Sequence, residues 1–189
     1  MRAVALILAA LLASSAHADP ISRIEGVYKD RHDVVAFGEP NGYVKTEDII
    51  EIVRYDDAHV YVRARLWFYN GHVCGISGIA AREADGFVFR DPEDLTTGGQ
   101  CTLRVASVGD RLTLTDRVGG ESTCSAYCGV NGSLASYTIP MSRRMPIRYL
   151  DRLKSSRQYL KAIQDLQKSN LQRSDPGTTP EEVQRRHQE

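Results

Sequence analysis

Alternation of apolar and polar residues along 58–69 is the feature that most limits how this chain can fold. Every second residue is apolar, and the residues between them are polar or amphipathic. Because successive side chains of a β-strand point to opposite faces, this period of two predicts a strand with one buried face and one wetted face. The residues predicted to face inward are Val60, Val62, Ala64, Leu66 and Phe68.

Turn signals divide the rest of the chain into similar short segments. Asn70-Gly71 follows the long strand, and both residues tolerate the positive φ of a tight hairpin turn. Further turns are predicted at Asp56-Asp57, Ala84-Asp85-Gly86 and Gly109-Asp110. The spacing predicts a mainly β fold, an antiparallel up-and-down barrel or barrel-like sheet of about eight strands, because a sheet of that size tends to close on itself. A β-sandwich is the alternative.

The pattern changes period after the last predicted strand. Apolar residues recur every three or four positions through 149–168, with Arg and Lys between them, which predicts an amphipathic helix. We expect a β-domain over 19–142, a basic helix packed on it over 143–170, and a polar, mostly disordered tail over 171–189. The β-domain has 18 acidic and 12 basic residues, whereas 143–173 has 9 basic and 2 acidic residues.

The first 18 residues have the pattern of a secretory signal peptide. Arg2 precedes an apolar run over 3–13, and Ala16-His17-Ala18 is a small-x-small cleavage site. The apolar run is too short to span a bilayer. We therefore expect a periplasmic or secreted protein, cleaved after Ala18, whose four cysteines form disulfides in an oxidising compartment.

The predicted strand directions place all four cysteines together. The chain of an up-and-down sheet reverses at every turn, so Cys74, Cys101, Cys124 and Cys128 fall at the same end. We favour Cys101–Cys124, which ties adjacent strand ends, with Cys74–Cys128 across the rim, over a tight Cys124–Cys128 loop. A zinc site that adds His72 is the alternative, but structural zinc sites usually use Cys-x₂-Cys knuckles. We expect neither a metal nor a cofactor.

No catalytic motif is recognisable in the chain. It lacks a Gly-x-Ser-x-Gly elbow, a glycine-rich phosphate loop ahead of a helix, and a His-Glu-x-x-His helix. His32 and Asp33 are adjacent, but neighbours in a strand point to opposite faces and do not form a base with its orienting partner. We expect a non-enzymatic protein with no catalytic residues.

The polar set of the 58–69 strand is the candidate binding surface. Tyr, Trp and Arg are enriched at binding hot spots. The structural alternative is that the arginines pair with acids such as Glu51 on the neighbouring strand, and that the C-terminal helix covers this face. Nucleic acid is disfavoured by the acidic domain and the compartment. The candidate binding residues are Tyr61, Arg63, Arg65, Trp67 and Tyr69.

Two segments resemble known exported proteins. Ile24-Glu25-Gly26-Val27-Tyr28 resembles the opening strand of calycin-type barrels, and 124–134 resembles the Cys-x-x-(aromatic)-Cys-Gly-x-x-Gly-Ser-(apolar) segment of small lysozyme-inhibitor-like proteins of proteobacteria. The resemblance implies an inhibitor whose partner is a lysozyme, a cationic protein that suits an acidic domain. Inhibitors of C-type lysozyme use a Ser-Gly-x-x-Tyr loop, and Ser77-Gly78-Ile79-Ala80-Ala81 has alanine in place of that tyrosine.

The leading expectation is therefore a periplasmic or secreted binding protein of the lysozyme-inhibitor-like type. One alternative is a lipocalin-like carrier that holds a small ligand in the barrel mouth. The other is an envelope structural protein whose basic helix contacts a membrane surface. A barrel interior filled by large side chains counts against the carrier. The candidate filling residues are Phe37, Phe68, Phe87, Phe89 and Leu103.

Overall fold

A computed structural model describes residues 19–92 and 100–174, with side chains described as far as Leu171. The predicted signal peptide and most of the predicted tail lie outside the described residues. Asp19 begins the first helix, because its carboxylate accepts hydrogen bonds from the backbone N–H groups of Ile21 and Ser22.

The described elements are mostly short strands. The helices are α1 (Pro20–Ile24), α2 (Leu150–Lys154) and α3 (Arg157–Ser174). The strands in the first half are β1 (Gly26–Val35), β2 (Tyr43–Arg54), β3 (His59–Trp67), β4 (Val73–Glu83) and β5 (Gly86–Arg90). The later strands are β6 (Thr102–Val108), β7 (Arg111–Thr115), β8 (Arg117–Val118), β9 (Glu121–Ser122), β10 (Tyr137–Pro140) and β11 (Arg144–Met145).

One antiparallel sheet contains nine of these strands, in the order β10-β7-β6-β5-β4-β3-β2-β1-β11. Strand β10 pairs with the outer edge of β7, and β11 pairs with the outer edge of β1. Only the 3₁₀ turn Met141–Arg143 separates β10 from β11, so one continuous segment reaches both edges of the sheet. The sheet is thereby nearly closed, and the predicted fold class is confirmed.

The inward face of the sheet forms one continuous apolar core. Val60, Val62, Ala64 and Leu66 of β3 are at most 2% exposed, which confirms the alternation seen in the sequence. Phe87, Phe89 and Leu103 are buried in the same cluster, and Phe68 packs against it. Phe37 differs from the prediction, because it lies in the β1–β2 loop and is 73% exposed.

The C-terminal segment differs from the single helix predicted over 143–170. Arg144 and Met145 form a strand, and the helical part is divided into α2 and α3. Ser156 explains the division, because its hydroxyl accepts a hydrogen bond from the backbone N–H of Tyr159 and so caps the start of α3. The apolar spacing continues across the break, so periodicity alone did not reveal it.

Gly119-Gly120 forms a tight hairpin turn. Both glycines have positive φ, 61° and 96°, and they join the two-residue strands β8 and β9. Two consecutive left-handed residues are what a two-residue hairpin of this kind requires. Strand β10 pairs with β7 from Tyr137 to Pro140.

Both disulfides lie at the same end of the sheet. Cys74 is bonded to Cys128 and Cys101 to Cys124, with Cα–Cα distances of 4.0 and 4.6 Å. These are the two pairs that the strand directions favoured. The 3₁₀ turn Ser125–Tyr127 joins one disulfide to the other and makes this end a stapled rim.

Helices α2 and α3 cover part of the outer face of the sheet. They form a second apolar cluster with β2, β3 and β4, and the rings of Tyr61 and Tyr159 are 4.8 Å apart at its centre. The residues buried in this cluster are Val53, Tyr61, Ile79, Leu153, Tyr159 and Ala162. The rest of the outer face, toward the stapled rim, remains open beside α2.

Candidate binding groove

The structure separates the five candidate binding residues of 58–69. Tyr61 is fully buried beneath α3 and is not available to a ligand. Tyr69 lies beyond the end of β3, in the turn Tyr69–Gly71, where its ring meets Phe37 edge-to-face at 5.4 Å. Arg63, Arg65 and Trp67 stay together on the outer face of β3.

Arg63 is fully engaged with a buried carboxylate. Its Nη2 donates to Oε1 of Glu51 at 2.8 Å, and its Nε donates to the other carboxylate oxygen. Tyr149, at the start of α2, donates its hydroxyl to the same carboxylate. Glu51 raises the pKa of Arg63, and burial raises the pKa of Tyr149 to about 12. This network holds α2 against the sheet. Pairing of an arginine of this strand with Glu51 was the structural alternative to a binding role.

Arg65 is held differently, by a ring instead of a carboxylate. Its guanidinium carbon lies 5.0 Å from the centroid of the Trp67 ring, a cation–π arrangement. Arg65 is exposed, and no carboxylate among the described residues pairs with it. A guanidinium that rests on a ring keeps its in-plane N–H groups free, and those groups bind carboxylate or phosphate in a bidentate manner.

Arg152, on α2, makes a second cation–π contact of the same kind. It lies three residues after Tyr149 on α2, and its guanidinium carbon is 5.3 Å from the centroid of that ring. It is also exposed and has no carboxylate partner among the described residues. Sequence reasoning missed Arg152, although the spacing of three residues between Tyr149 and Arg152 on a helix was a visible signal.

A groove separates these two arginines. It has a volume of about 630 Å³ and lies between α2 and the outer faces of β2, β3 and β4, with Ile49, Val73 and Gly75 among its lining residues. A second hollow, of about 870 Å³, adjoins it along β1, β2 and β3 and shares Ile49 and Arg65 with it. We call the two together the outer groove.

The outer groove is cationic, although it lies on an acidic domain. Six basic and three acidic side chains line it, which gives a net charge of +3 with His32 neutral. Glu47 bonds to both Lys29 and Arg31, and these bonds lower its pKa. Among the described residues, Arg65, Arg152 and Lys45 have no ion pair, although Asp33 lies opposite Lys45 in the β1–β2 pairing. The lining charges are Lys29, Arg31, Lys45, Arg63, Arg65, Arg152, Asp33, Glu47 and Glu51.

A buried polar cluster on the inner face was also missed. Asp48 is 4% exposed and accepts hydrogen bonds from the Tyr137 hydroxyl and the Trp67 backbone N–H, both at 2.7 Å. Burial raises the pKa of Asp48 and that of Tyr137. His32 Nδ1 lies 4.0 Å from the same carboxylate. The cluster links β10 to β2 across the nearly closed edge of the barrel. The sequence feature that indicated it was Asp48, an acid at an inward-facing position of β2.

The cysteine-rich motif at 124–134 has a structural explanation. A Cβ on Gly129 would lie 2.6 Å from Nδ1 of His72, and one on Gly132 would lie 2.8 Å from Sγ of Cys74. Both glycines are therefore required for close packing against the rim. Ser77 and Gly78 lie inside β4, where a Cβ on Gly78 would overlap the Phe89 ring, so this segment is a strand and not a protruding loop.

Neither a metal cluster nor a membrane-spanning helix is found in the described part of the chain. Within 19–92 and 100–171, no three metal-ligating side chains converge. Among the helices that the structure describes, none is both long and apolar enough to cross a bilayer. Comparison with protein-family models, with curated proteins and with solved structures found no match. The lysozyme-inhibitor-like resemblance therefore stays a prediction.

Proposed function

We propose that this chain is an exported, non-enzymatic binding protein that holds an anionic ligand in the outer groove. The observation that carries the proposal is the pair of arginines, Arg65 and Arg152, which both line the groove, rest on aromatic rings and have no carboxylate partner within the described part of the chain. The two disulfides support export, because such bonds persist in oxidising compartments.

The aromatic rings and the shared groove distinguish this pair. The lack of a carboxylate alone does not, because Arg23, Arg82, Arg148 and Arg157 also have no ion pair among the described residues. Arg54 pairs with Asp19, Arg90 with Glu83, and Arg104 with Asp85. Among the described arginines, Arg65 and Arg152 are the two that rest on aromatic rings, and both line one groove. An external anion would supply the charged partner that both guanidinium groups lack.

The filled interior favours the outer groove over the barrel mouth as the binding place. The inward residues pack into one buried cluster that includes Phe87, Phe89 and Leu103, which argues against a lipocalin-like carrier. A membrane-surface role for the basic helix stays a prediction. Deleting 143–189 without any change in membrane fractionation would remove support for it.

Tryptophan fluorescence tests the proposal directly, because Trp67 is the only tryptophan and lies in the outer groove. The mature chain would be titrated with citrate, inorganic pyrophosphate and polygalacturonate, with uncharged malto-oligosaccharide as the neutral counterpart. We expect saturable changes with anions only. Arg65→Ala and Arg152→Ala should each weaken binding by about tenfold or more, the usual contribution of a charge-assisted hydrogen bond.

Arg82→Ala is the matched control, since it removes the same charge at the far end of β4. It lies seven residues from Gly75, about 24 Å along an extended strand. The control should bind within about twofold of the parent, a difference of about 0.4 kcal/mol. The proposal is overturned if no anion gives a saturable change, or if Arg82→Ala weakens binding as much as Arg65→Ala does.

Lysozyme inhibition is the second candidate, and the acidic β-domain is the observation that favours it. A cationic lysozyme would use acidic surface away from the outer groove. Measuring the activity of C-, G- and I-type lysozymes with increasing amounts of the purified chain tests this candidate. Equal activity of all three at micromolar concentrations would exclude it.

A further inference from the structure

We infer that the ligand of the outer groove is a linear acidic oligosaccharide, one whose sugar rings carry carboxylate or comparable anionic groups. The inference rests on the proposed anion binding and names the class of the anion. Four features support it: the length of the groove, the spacing of its charges, the pairing of the strands beneath it, and the open space at Gly75 beside Arg65.

The outer groove is long and continuous. The two hollows meet at Ile49 and Arg65, and the second continues along β2 to Val44. Ile49 and Val44 are five residues apart, about 17 Å along a strand. The first hollow continues past Ile49 toward Arg152. A single small anion fills only part of such a path, whereas a short chain follows all of it.

Cationic groups are distributed along this path and are not gathered at one point. Arg152 stands on the α2 wall, Arg65 lies where the two hollows meet, and Lys45 lines the far end. A ligand that matches this arrangement carries several anionic groups along its length. A compact anion such as a single phosphate contacts one of the positions only.

The strands beneath the groove favour a sugar chain over an acidic peptide. Strands β2, β3 and β4 are interior strands of the sheet, each paired on both sides. Strand β1, beside β2, also lines the groove, and it pairs with β11 only at Val27 and Tyr28. Extended peptides are commonly recognised by adding a strand to an exposed sheet edge. On this face a peptide would leave its own backbone groups without partners, at a cost in free energy. A sugar chain binds through its hydroxyl and carboxylate groups instead, and the guanidinium of Arg65, which rests on the Trp67 ring, has in-plane N–H groups that suit such acceptors.

Gly75 leaves the room that the ligand requires. It lies opposite Arg65 in the β3–β4 pairing, it lines the groove, and a Cβ built on it would meet no atom within 4 Å. Its φ is not in the left-handed region, so a larger residue is tolerated by the backbone. Gly75→Val therefore fills the groove without disturbing the fold, and valine is favoured in strands.

Oligogalacturonates of one to six units test the inference, with Trp67 fluorescence and calorimetry as readouts. We expect affinity to rise with length and to keep rising beyond roughly four units, because about 17 Å of strand spans the second hollow alone and the first hollow lengthens the path. Gly75→Val should weaken binding of the longer oligomers by about tenfold or more, a loss of about 1.4 kcal/mol. Its thermal unfolding temperature should not fall, and Arg82→Ala should bind normally.

Three results would overturn the inference. One is an affinity that does not change with oligomer length, another is tighter binding of oligoglutamate of equal charge, and the third is normal binding by a stably folded Gly75→Val. Any of them can occur while citrate or pyrophosphate still binds in a way that depends on Arg65 and Arg152. In that case the proposed anion binding stands and only the ligand class is wrong.

Discussion

Two buried carboxylates of β2, three residues apart, show how the two faces of the sheet differ. Asp48 points inward and is held by neutral donors, Tyr137 and the Trp67 backbone. Glu51 points outward beneath α2 and is held by the charged Arg63 and by Tyr149. The inner carboxylate is therefore hydrogen-bonded by neutral donors, with His32 Nδ1 4.0 Å away, whereas the outer carboxylate is paired with a charged guanidinium. This difference explains why a charged ligand site can exist on the outer face.

The largest expected effect concerns the inner face. Leu66 is fully buried in the core, and Leu66→Ala should lower the free energy of unfolding by about 3–4 kcal/mol, since it leaves a cavity. Leu160 on α3 is 50% exposed, and Leu160→Ala is the matched control, with an expected loss below about 1 kcal/mol. Urea unfolding with the disulfides intact measures both. Equal losses would show that the inner face is not the main source of stability.

The charged network of the outer face should have the next largest effect. Glu51→Ala leaves Arg63 and the Tyr149 hydroxyl without their partner, and we expect a loss of about 2 kcal/mol, less than for a fully buried pair because Arg63 is partly exposed. The double variant Glu51→Leu/Arg63→Leu should recover much of this loss. A double variant as unstable as Glu51→Ala would show that the damage comes from lost packing and not from an unpaired charge.

A pH profile separates Asp48 from the paired acids. Burial raises the folded-state pKa of Asp48 above 3.8, so the folded state holds its proton more tightly than the unfolded state does. Its contribution to stability should therefore fall as pH rises from about 4 through the folded-state pKa. Relative to Asp48→Asn, the parent should become progressively less stable over that range, as followed by urea midpoints.

Asp19 should give a pH dependence of stability opposite to that of Asp48 in the same experiment. Its hydrogen bond from Arg54 lowers its pKa from 3.8 to about 2. The contribution of Asp19 is therefore complete above 3.8 and is lost as pH falls toward 2. Asp19→Asn should remove that acid-side loss. The same pH trend in both variants would contradict the distinction between the two environments.

The smallest expected effect on stability is at the arginine that the proposed function needs. Arg65 is exposed, and its side chain rests on the Trp67 ring and makes no ion pair with a described residue, so Arg65→Ala should change the free energy of unfolding by less than about 0.5 kcal/mol. Loss of anion binding with unchanged stability would separate function from folding. A loss of more than about 1 kcal/mol would instead give Arg65 a structural role.

Local patterns predicted the inner face better than the outer face. The alternation of Val60, Val62, Ala64 and Leu66 depends only on strand geometry, and the shared rim of the cysteines depends only on strand direction. The outer groove depends on where α2 docks, which is decided by distant contacts such as that between Tyr149 and Glu51. No periodicity within either segment contains that information.

The inward acid and the helix break were visible but were not recognised. Asp48 shares its face with Ile50 and Ile52, and an acid at such a position indicates a buried polar contact. Its partner Tyr137 lies 89 residues further along the chain, so the contact itself could not be deduced. Ser155-Ser156 interrupts the helical pattern with residues that favour a helix start.

The segment that joins β10 to β11 has a consequence for the order of assembly during synthesis. Strand β1 is made first, yet the residues that cover its free edge, Arg144 and Met145, are made more than a hundred positions later. Until then the nascent sheet presents the outer edges of β1 and β7 as templates for other chains. A chain interrupted before residue 137 would retain both edges, and we expect it to aggregate more than the complete chain does.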